Sequence, residues 1–312
     1  MPSDLVVVVG PTATGKTVLG AALAERLGGE VVSADAFAVY RGLDIGTAKP
    51  DRATRERVRH HLIDVADPND RYSAGMFLRD ADAAIAEIRA RGRRPVVVGG
   101  THFYVRALLW GLFPEPPRDP ALRAELAREW AASPATVRAR LAALDPASAA
   151  RIAPADRQRT LRALEVCLAS GRPMSELWRE HDRSRPRYDA LVLGLDLPRR
   201  ELHARIAARV ESMFASGLLQ EVEGLLRAGV APRAHSLKAI GYRECCGALS
   251  GEWTVAQAVE RSIVATRRLA KRQMTWLRAE ADVEWLAGSG EEQVRLAMAR
   301  VEERGGTGTG AG

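Results

Sequence analysis

Apolar and polar positions follow two alternating patterns along the first third of this 312-residue chain. Leu5–Val9 is an unbroken apolar, mostly β-branched run, as expected of a strand covered on both faces. Thr17 to Leu27 then sets Val18, Leu19, Ala22, Leu23 and Leu27 at helical spacing, and Gly28–Gly29 closes that helix. Glu30–Ala34 reads as a second short strand ending at Asp35. Ala74–Arg91 reads as a helix stopped by Gly92, and Pro95–Val98 as a third buried strand that breaks at Gly99–Gly100. Ala190–Leu197 supplies a fourth strand only after a long gap. Alternation of this kind predicts an α/β fold, a parallel sheet flanked by helices on both faces.

The gap is a different kind of sequence. Pro114, Pro116, Pro117 and Pro120 read as a stiff linker, and Leu122–Trp130, Pro134–Leu144 and Asp156–Ser170 as helices. Arg183, Arg185, Pro186 and Arg187 lead back to the sheet. The expected organisation is therefore a core at 1–114, an inserted small helical domain at 115–187, and the rest of the core at 188–304. From Arg199 onward the pattern is mainly helical, in three or four segments, and the Gly/Thr/Ala tail at 305–312 is expected to be disordered.

Composition changes this picture in two ways. Net charge is +7 with a pI near 9.7, which hints at a nucleic-acid partner once the charge is clustered. Of 46 Lys plus Arg, the lysines are Lys16, Lys49, Lys238 and Lys271 alone, so Lys is kept where a compact ammonium is wanted. Three cysteines, Cys167, Cys245 and Cys246, make no disulfide framework, and the histidines show no HExxH spacing. No apolar run approaches the ~20 residues of a membrane span, and Leu5–Val9 is too short for an export signal, so the cytoplasm is the expected location.

Gly10-Pro-Thr-Ala-Thr-Gly15-Lys16-Thr17 matches GxxxxGK[ST] between a strand and a helix. Such a P-loop turns backbone N–H groups inward at a helix N-terminus, Lys16 adds a point charge, and the Thr17 hydroxyl can ligate Mg²⁺. This makes the expected fold a P-loop NTPase-like parallel sheet flanked by helices, with the small helical domain inserted. A P-loop by itself suggests ATP and a kinase or ATPase, with an acid at the end of a second buried strand. Val96–Val98 ends instead in Gly99-Gly100-Thr101, and the acid is Asp35. Strand C-termini converge in a doubly wound sheet, so Asp35, Thr101 and the P-loop should face one another. There a carboxylate can take a proton and a hydroxyl can donate to a leaving oxygen. Arg267, Arg268, Lys271 and Arg272 form a basic stripe opposite Ala270, Met274 and Leu277. In the insertion, Arg151, Arg157, Arg159 and Arg162 cluster around Gln158 and, with Arg123, suit phosphates and bases.

Six segments in order carry a family resemblance: Gly10–Thr17, Ser33–Pro50 (SADAFAVYRGLDIGTAKP), Val98–Tyr104 (VGGTHFY), Asp156–Val166 (DRQRTLRALEV), Ala239–Glu244 (AIGYRE) and Leu269–Arg278 (LAKRQMTWLR). Over nearly its whole length the chain resembles tRNA dimethylallyltransferases, also called tRNA isopentenyltransferases. The resemblance implies that the loop Gly10, Thr12, Ala13, Thr14, Gly15, Lys16 and Thr17, with Arg209 in a helix over Glu201–Phe214, binds the diphosphate of dimethylallyl diphosphate, with Mg²⁺ at Thr17. It implies an acceptor in the anticodon stem-loop of tRNA, the adenosine 3′-adjacent to the anticodon in tRNAs reading codons that begin with U. That base is flipped into a channel, as base-modifying enzymes require. Asp35 would deprotonate its exocyclic amine, Thr101 would bond the bridging oxygen of the leaving diphosphate, and Lys16 would neutralise its growing charge. Asp35, Ala36, Phe37, Ala38, Thr101, Arg123, Gln158, Arg159 and Arg162 match positions that touch tRNA, although the family commonly has Ser and often Gln where this chain has Ala36 and Ala38. A monomer with no membrane association is expected.

Overall fold

The structure is a computed structural model that describes residues 5–113, 116, 119–180 and 185–306. The chain divides into two compact units, one built from 1–109 with 187–312 and the other from 110–186. The expected domain edges at 114 and 115, with Pro117 and Arg183, lie outside the described residues.

The larger unit holds β1 (Leu5–Val9), α1 (Lys16–Arg26), β2 (Glu30–Ser33), α2 (Arg52–Arg57), β3 (His60–His61), α3 (Ala74–Ala90), β4 (Pro95–Val98) and α4 (His102–Trp110). The smaller unit holds α5 (Pro120–Ala132), α6 (Pro134–Leu144), α7 (Pro146–Arg151), α8 (Arg157–Ser170) and α9 (Met174–Glu180). The larger unit resumes with β5 (Ala190–Leu195), α10 (Arg199–Ala215), α11 (Leu218–Arg227), α12 (Tyr242–Leu249), α13 (Val255–Leu277), β6 (Val283–Leu286) and α14 (Glu291–Gly306).

The six strands form one parallel sheet in the order β3-β2-β4-β1-β5-β6. After β1 the chain skips a position to β2, moves outward to β3, and returns with β4 between β2 and β1, which opens a ligand crevice at the strand C-termini. Ser33 pairs with Val98, and Val8 also pairs with Val98, so the residues after all three strands emerge side by side. Val6, Val8, Val31, Val96, Leu191 and Leu193 join Leu19, Leu23 and Val301 in one dry core. Unbroken apolar runs suit strands with helices on both faces.

Sequence patterning left out two strands of the sheet. β3 has only two residues, β6 carries Glu284 and Trp285 with just Leu286 buried, and both lie at sheet edges. Among the described residues the region from Arg199 onward contains five α-helices rather than three or four segments: Gly217 separates α10 from α11, and residues 228–241 separate α11 from α12. Pro120 is not linker but the first residue of α5, capped by the Asp119 carboxylate, which accepts from the Ala121 and Leu122 N–H groups. Pro134 and Pro146 open α6 and α7 in the same way, where a missing N–H costs nothing. Gly305 and Gly306 belong to α14, and residues 307–312 of the expected disordered tail lie outside the described residues.

The helical unit has its own core of Leu126, Val137, Leu141, Leu164 and Val166, with Trp130 and Trp178 packed against it. Asp145 is fully buried there; burial pushes its carboxyl up, but hydrogen bonds from Ser148 and Ser175 prevail and hold it below the usual range.

Candidate active site

The P-loop leaves β1 at Gly10, whose φ of +154° and close approach to β5 exclude a side chain: a Cβ there would lie 2.8 Å from the Leu195 carbonyl oxygen. Ala13 holds a positive φ of 66°, and Gly15 caps α1 without a side-chain bond. The loop is tied internally, since the Thr14 hydroxyl and the Lys16 ammonium both donate to the Pro11 carbonyl, at 2.8 and 2.7 Å.

A cavity of about 420 Å³ opens at the strand tips. Its polar end is Thr12, Lys16, Thr17, Asp35, Arg209 and Gln273, and its apolar wall includes Met213, Phe214, Leu218 and Ile240. A second space of about 490 Å³ shares Lys16, Thr17, Lys49 and Arg209 with it and adds Ala13 and Gly15. Gly10, Thr14 and Thr101 line neither space. Phe37 and Ala38 line the first.

Electrostatics bind the polar end together. Burial first, and then the Arg209 guanidinium, lower Lys16 to about 7 against the opposing pull of the Asp35 carboxylate. Arg209 is likewise lowered by burial and supported by Asp35. Two cations crowded beside one carboxylate leave this corner short of negative charge, which a polyanion would supply.

Asp35 sits in a tight turn. Its Oδ1 accepts from the Phe37 N–H at 2.8 Å and the Ala38 N–H at 3.1 Å. Thr101 Oγ1 accepts from the Ala36 N–H at 3.0 Å, and the Thr101 N–H donates to the Ala34 carbonyl. Ala36 and Ala38 thus reach Thr101 and Asp35 through backbone N–H groups, which do not depend on the side chain. The Phe37 ring stacks on His235, with centroids 6.1 Å apart.

Of the four lysines, Lys16, Lys49 and Lys238 line the cavity and Lys271 does not. Lys49 is 1% exposed at its side chain, and its ammonium donates to the Tyr40 carbonyl, Asp44 and Asp64. Its loop is held from α11 and α12: Asp44 and Ile45 N–H groups donate to Glu221, and the Gly46 N–H donates to the Tyr242 hydroxyl. On α13, Arg268, Lys271 and Arg272 of the expected stripe are exposed and Ala270, Met274 and Leu277 are buried, whereas Arg267 is half-buried and donates to the His203 carbonyl.

Within the helical unit, Arg123 and Arg162 converge on Glu165, a carboxylate 2% exposed, at 3.1 and 3.0 Å. Gln158 and Arg159 stand exposed on the first turn of α8, where Arg159 pairs with the Asp156 cap at 2.8 Å. The four residues therefore form two pairs, one built around a buried acid and one open to solvent.

Gln273 was missed by pattern reasoning. Its side chain accepts from the Thr12 N–H at 2.9 Å and donates to the Gly100 carbonyl at 2.8 Å. The available signal was an uncharged polar residue between buried Ala270 and Met274, a position that demands a partner.

A parallel sheet with a P-loop, an acid at the second strand tip and an apolar-walled cavity marks a protein that binds a phosphate-bearing ligand at the strand tips. The family model for IPP transferase matches residues 38–280. The tRNA dimethylallyltransferase of Anaeromyxobacter dehalogenans (strain 2CP-1) is 54% identical over 91% of this chain and 92% of its own length. The Geobacter sulfurreducens enzyme of the same name is 47% identical over 91% and 92%. The full-length tRNA isopentenylpyrophosphate transferase of Bacillus halodurans superposes with a TM-score of 0.72 at 35% identity, covering 97% of this chain and 98% of that one. A eukaryotic dimethylallyltransferase acting on tRNA superposes with a TM-score of 0.82 at 27% identity, covering 96% and 77%. The chain belongs to the IPP transferase family, whose members here are tRNA dimethylallyltransferases.

Proposed function

We propose that the protein transfers a dimethylallyl group from dimethylallyl diphosphate to the exocyclic amine of the tRNA adenosine 3′-adjacent to the anticodon, in tRNAs reading codons that begin with U. The observation that carries this reading is one cavity with a cationic end, a carboxylate and an apolar wall. Lys16, Arg209 and the P-loop suit a diphosphate, and Met213, Phe214, Leu218 and Ile240 suit a short branched hydrocarbon.

Asp35 is the base. Its Oδ1 is occupied by two backbone N–H groups, which leaves Oδ2 to take the proton from the adenine amine. Thr101 accepts from Ala36 N–H, so its own hydroxyl hydrogen is left for the bridging oxygen of the leaving diphosphate. The allylic C–O bond breaks with its electron pair on the diphosphate, the new N–C bond forms, and Lys16 and Arg209 offset the charge that develops. The products are the prenylated adenosine, diphosphate and one proton. Thr17 lines both spaces and offers one hydroxyl, which fits a Mg²⁺ held otherwise by substrate oxygens and water. When bound, that ion would neutralise charge on the diphosphate.

In the helical unit, Arg159 and Gln158 are open to the anticodon stem-loop, and Arg123 and Arg162 are oriented by Glu165. Among the described residues no helix is long and apolar enough to cross a membrane. A cytoplasmic monomer is the state that suits a tRNA substrate. The test is incubation with Mg²⁺ and labelled dimethylallyl diphosphate, with tRNA, AMP or neither, alongside ATP turnover. Label in tRNA is expected; label in AMP alone, or ATP turnover without tRNA, overturns the reading.

A further inference from the structure

We propose that Gln273 is a positioning residue for the transfer step. Its amide locks the P-loop to the Gly99–Thr101 turn, so that Lys16 and Thr101 meet the same leaving group. This rests on the roles given above to Lys16 and Thr101.

The backbone ladder between β1 and β4 ends where the Gly99 N–H donates to the Val8 carbonyl at 3.1 Å. Beyond that point the two chains separate, one into the P-loop and the other toward Thr101. Gln273 bridges them past the end of the ladder, with Oε1 on the Thr12 N–H and Nε2 on the Gly100 carbonyl. Both partners are main chain, so the bond pair holds the loops themselves and not mobile side chains. Lys16 lies at the same junction: a Cβ placed on Gly100 would be 2.7 Å from Gln273 Nε2 and 3.6 Å from Lys16 Nζ. From Gly100 the linkage runs through Thr101 to Ala36 and the turn that holds Asp35.

The residue type fits the task. A neutral amide supplies one donor and one acceptor. Glutamate would place a second anion where the Gly100 carbonyl needs a donor, and lysine or arginine would offer nothing to the Thr12 N–H. The amide comes from α13, a 23-residue helix anchored by buried Ala258, Ser262, Ala270 and Met274, so its base is rigid. Catalytic geometry tolerates displacements well under an ångström, so loosening this tie should act on turnover.

The experiment uses the full chain with tRNA and dimethylallyl diphosphate. Gln273→Met keeps length and helix propensity while removing both bonds. Expected are a kcat reduced by about tenfold or more, a KM for tRNA within about threefold of wild type, and an unfolding midpoint within a few degrees. Gln273→Glu should not rescue. In a double-mutant cycle, Thr101→Val should cost several-fold less in the Gln273→Met background than in wild type, since a hydroxyl out of place has little to lose. A kcat within twofold of wild type overturns the proposal. So do additive effects in the cycle, or a lower donor KM with kcat intact, which would mark Gln273 as a plug that diphosphate must displace. Wild-type protein that fails to label tRNA sinks the functional reading and this inference together; an active wild type with an equally active Gln273→Met sinks the inference alone.

Discussion

If Lys16 holds the diphosphate as proposed, binding should be a protonation event. In the free protein burial, then Arg209, hold its ammonium at about 7, well below the ordinary lysine value of 10.5. About half of the sites therefore carry a neutral Lys16 at pH 7, and roughly 97% do at pH 8.5. A bound diphosphate adds negative charge beside the group and restores the ammonium. Binding should thus take up about half a proton at pH 7 and nearly one at pH 8.5, with affinity falling about tenfold per pH unit above 7. Inorganic diphosphate titrated calorimetrically in buffers of different ionisation enthalpy gives the proton count directly. The ligand has its own titration, so the quantity to compare is the difference between wild type and Lys16→Met. That variant should bind weakly at every pH and lose the Lys16 part of the uptake. If the two proteins take up equal numbers of protons at pH 8.5, Lys16 is charged in the free protein and the reasoning from burial is wrong.

Other perturbations separate the parts of the molecule. Asp35→Asn can keep the turn to Phe37 and Ala38 but cannot take the proton; transfer should be abolished while tRNA affinity, measured by filter binding, stays within about tenfold. Arg159→Ala should weaken tRNA binding and lower the slope of log affinity against log salt by about one, without changing single-turnover transfer at saturating tRNA. Gly99→Ala would set a Cβ 2.1 Å from the Ala34 carbonyl oxygen and drive the β2 and β4 tips apart, at a cost of about 2 kcal/mol in urea unfolding together with loss of transfer. Glu30 is buried and bonded by Arg91 and His61; burial pushes its carboxyl up, but those bonds prevail and hold it below its ordinary 4.5. Its contribution is therefore fully present above 4.5 and is lost as pH falls below 4.5 through the lower value of the folded state. Glu30→Gln should lower stability by about 1–2 kcal/mol at pH 7 and flatten the acid limb of the Tm profile.

What the sequence determined by itself was local. Leu5–Val9, Pro95–Val98 and the turn Gly10–Thr17 were legible because strand burial and phosphate-loop torsions are written in adjacent residues. The helix of the insertion at Pro134–Leu144 was legible because a Ser133 cap and a first-turn proline mark its start. Asp35 stood out as an acid at a strand tip. Tertiary structure decided the rest. β3 and β6 exist because neighbouring strands offer them edges, and their own two and four residues carry little signal. Arg123 and Arg162 read as a free basic surface until folding brought Glu165 between them, since ion pairing is a matter of distance and not of composition. Lys16 drew notice from its spacing, but its low pKa comes from burial and from Arg209, which lies far along the chain. Gln273 meets its partners across 261 and 173 residues, a separation over which no periodicity or motif carries information.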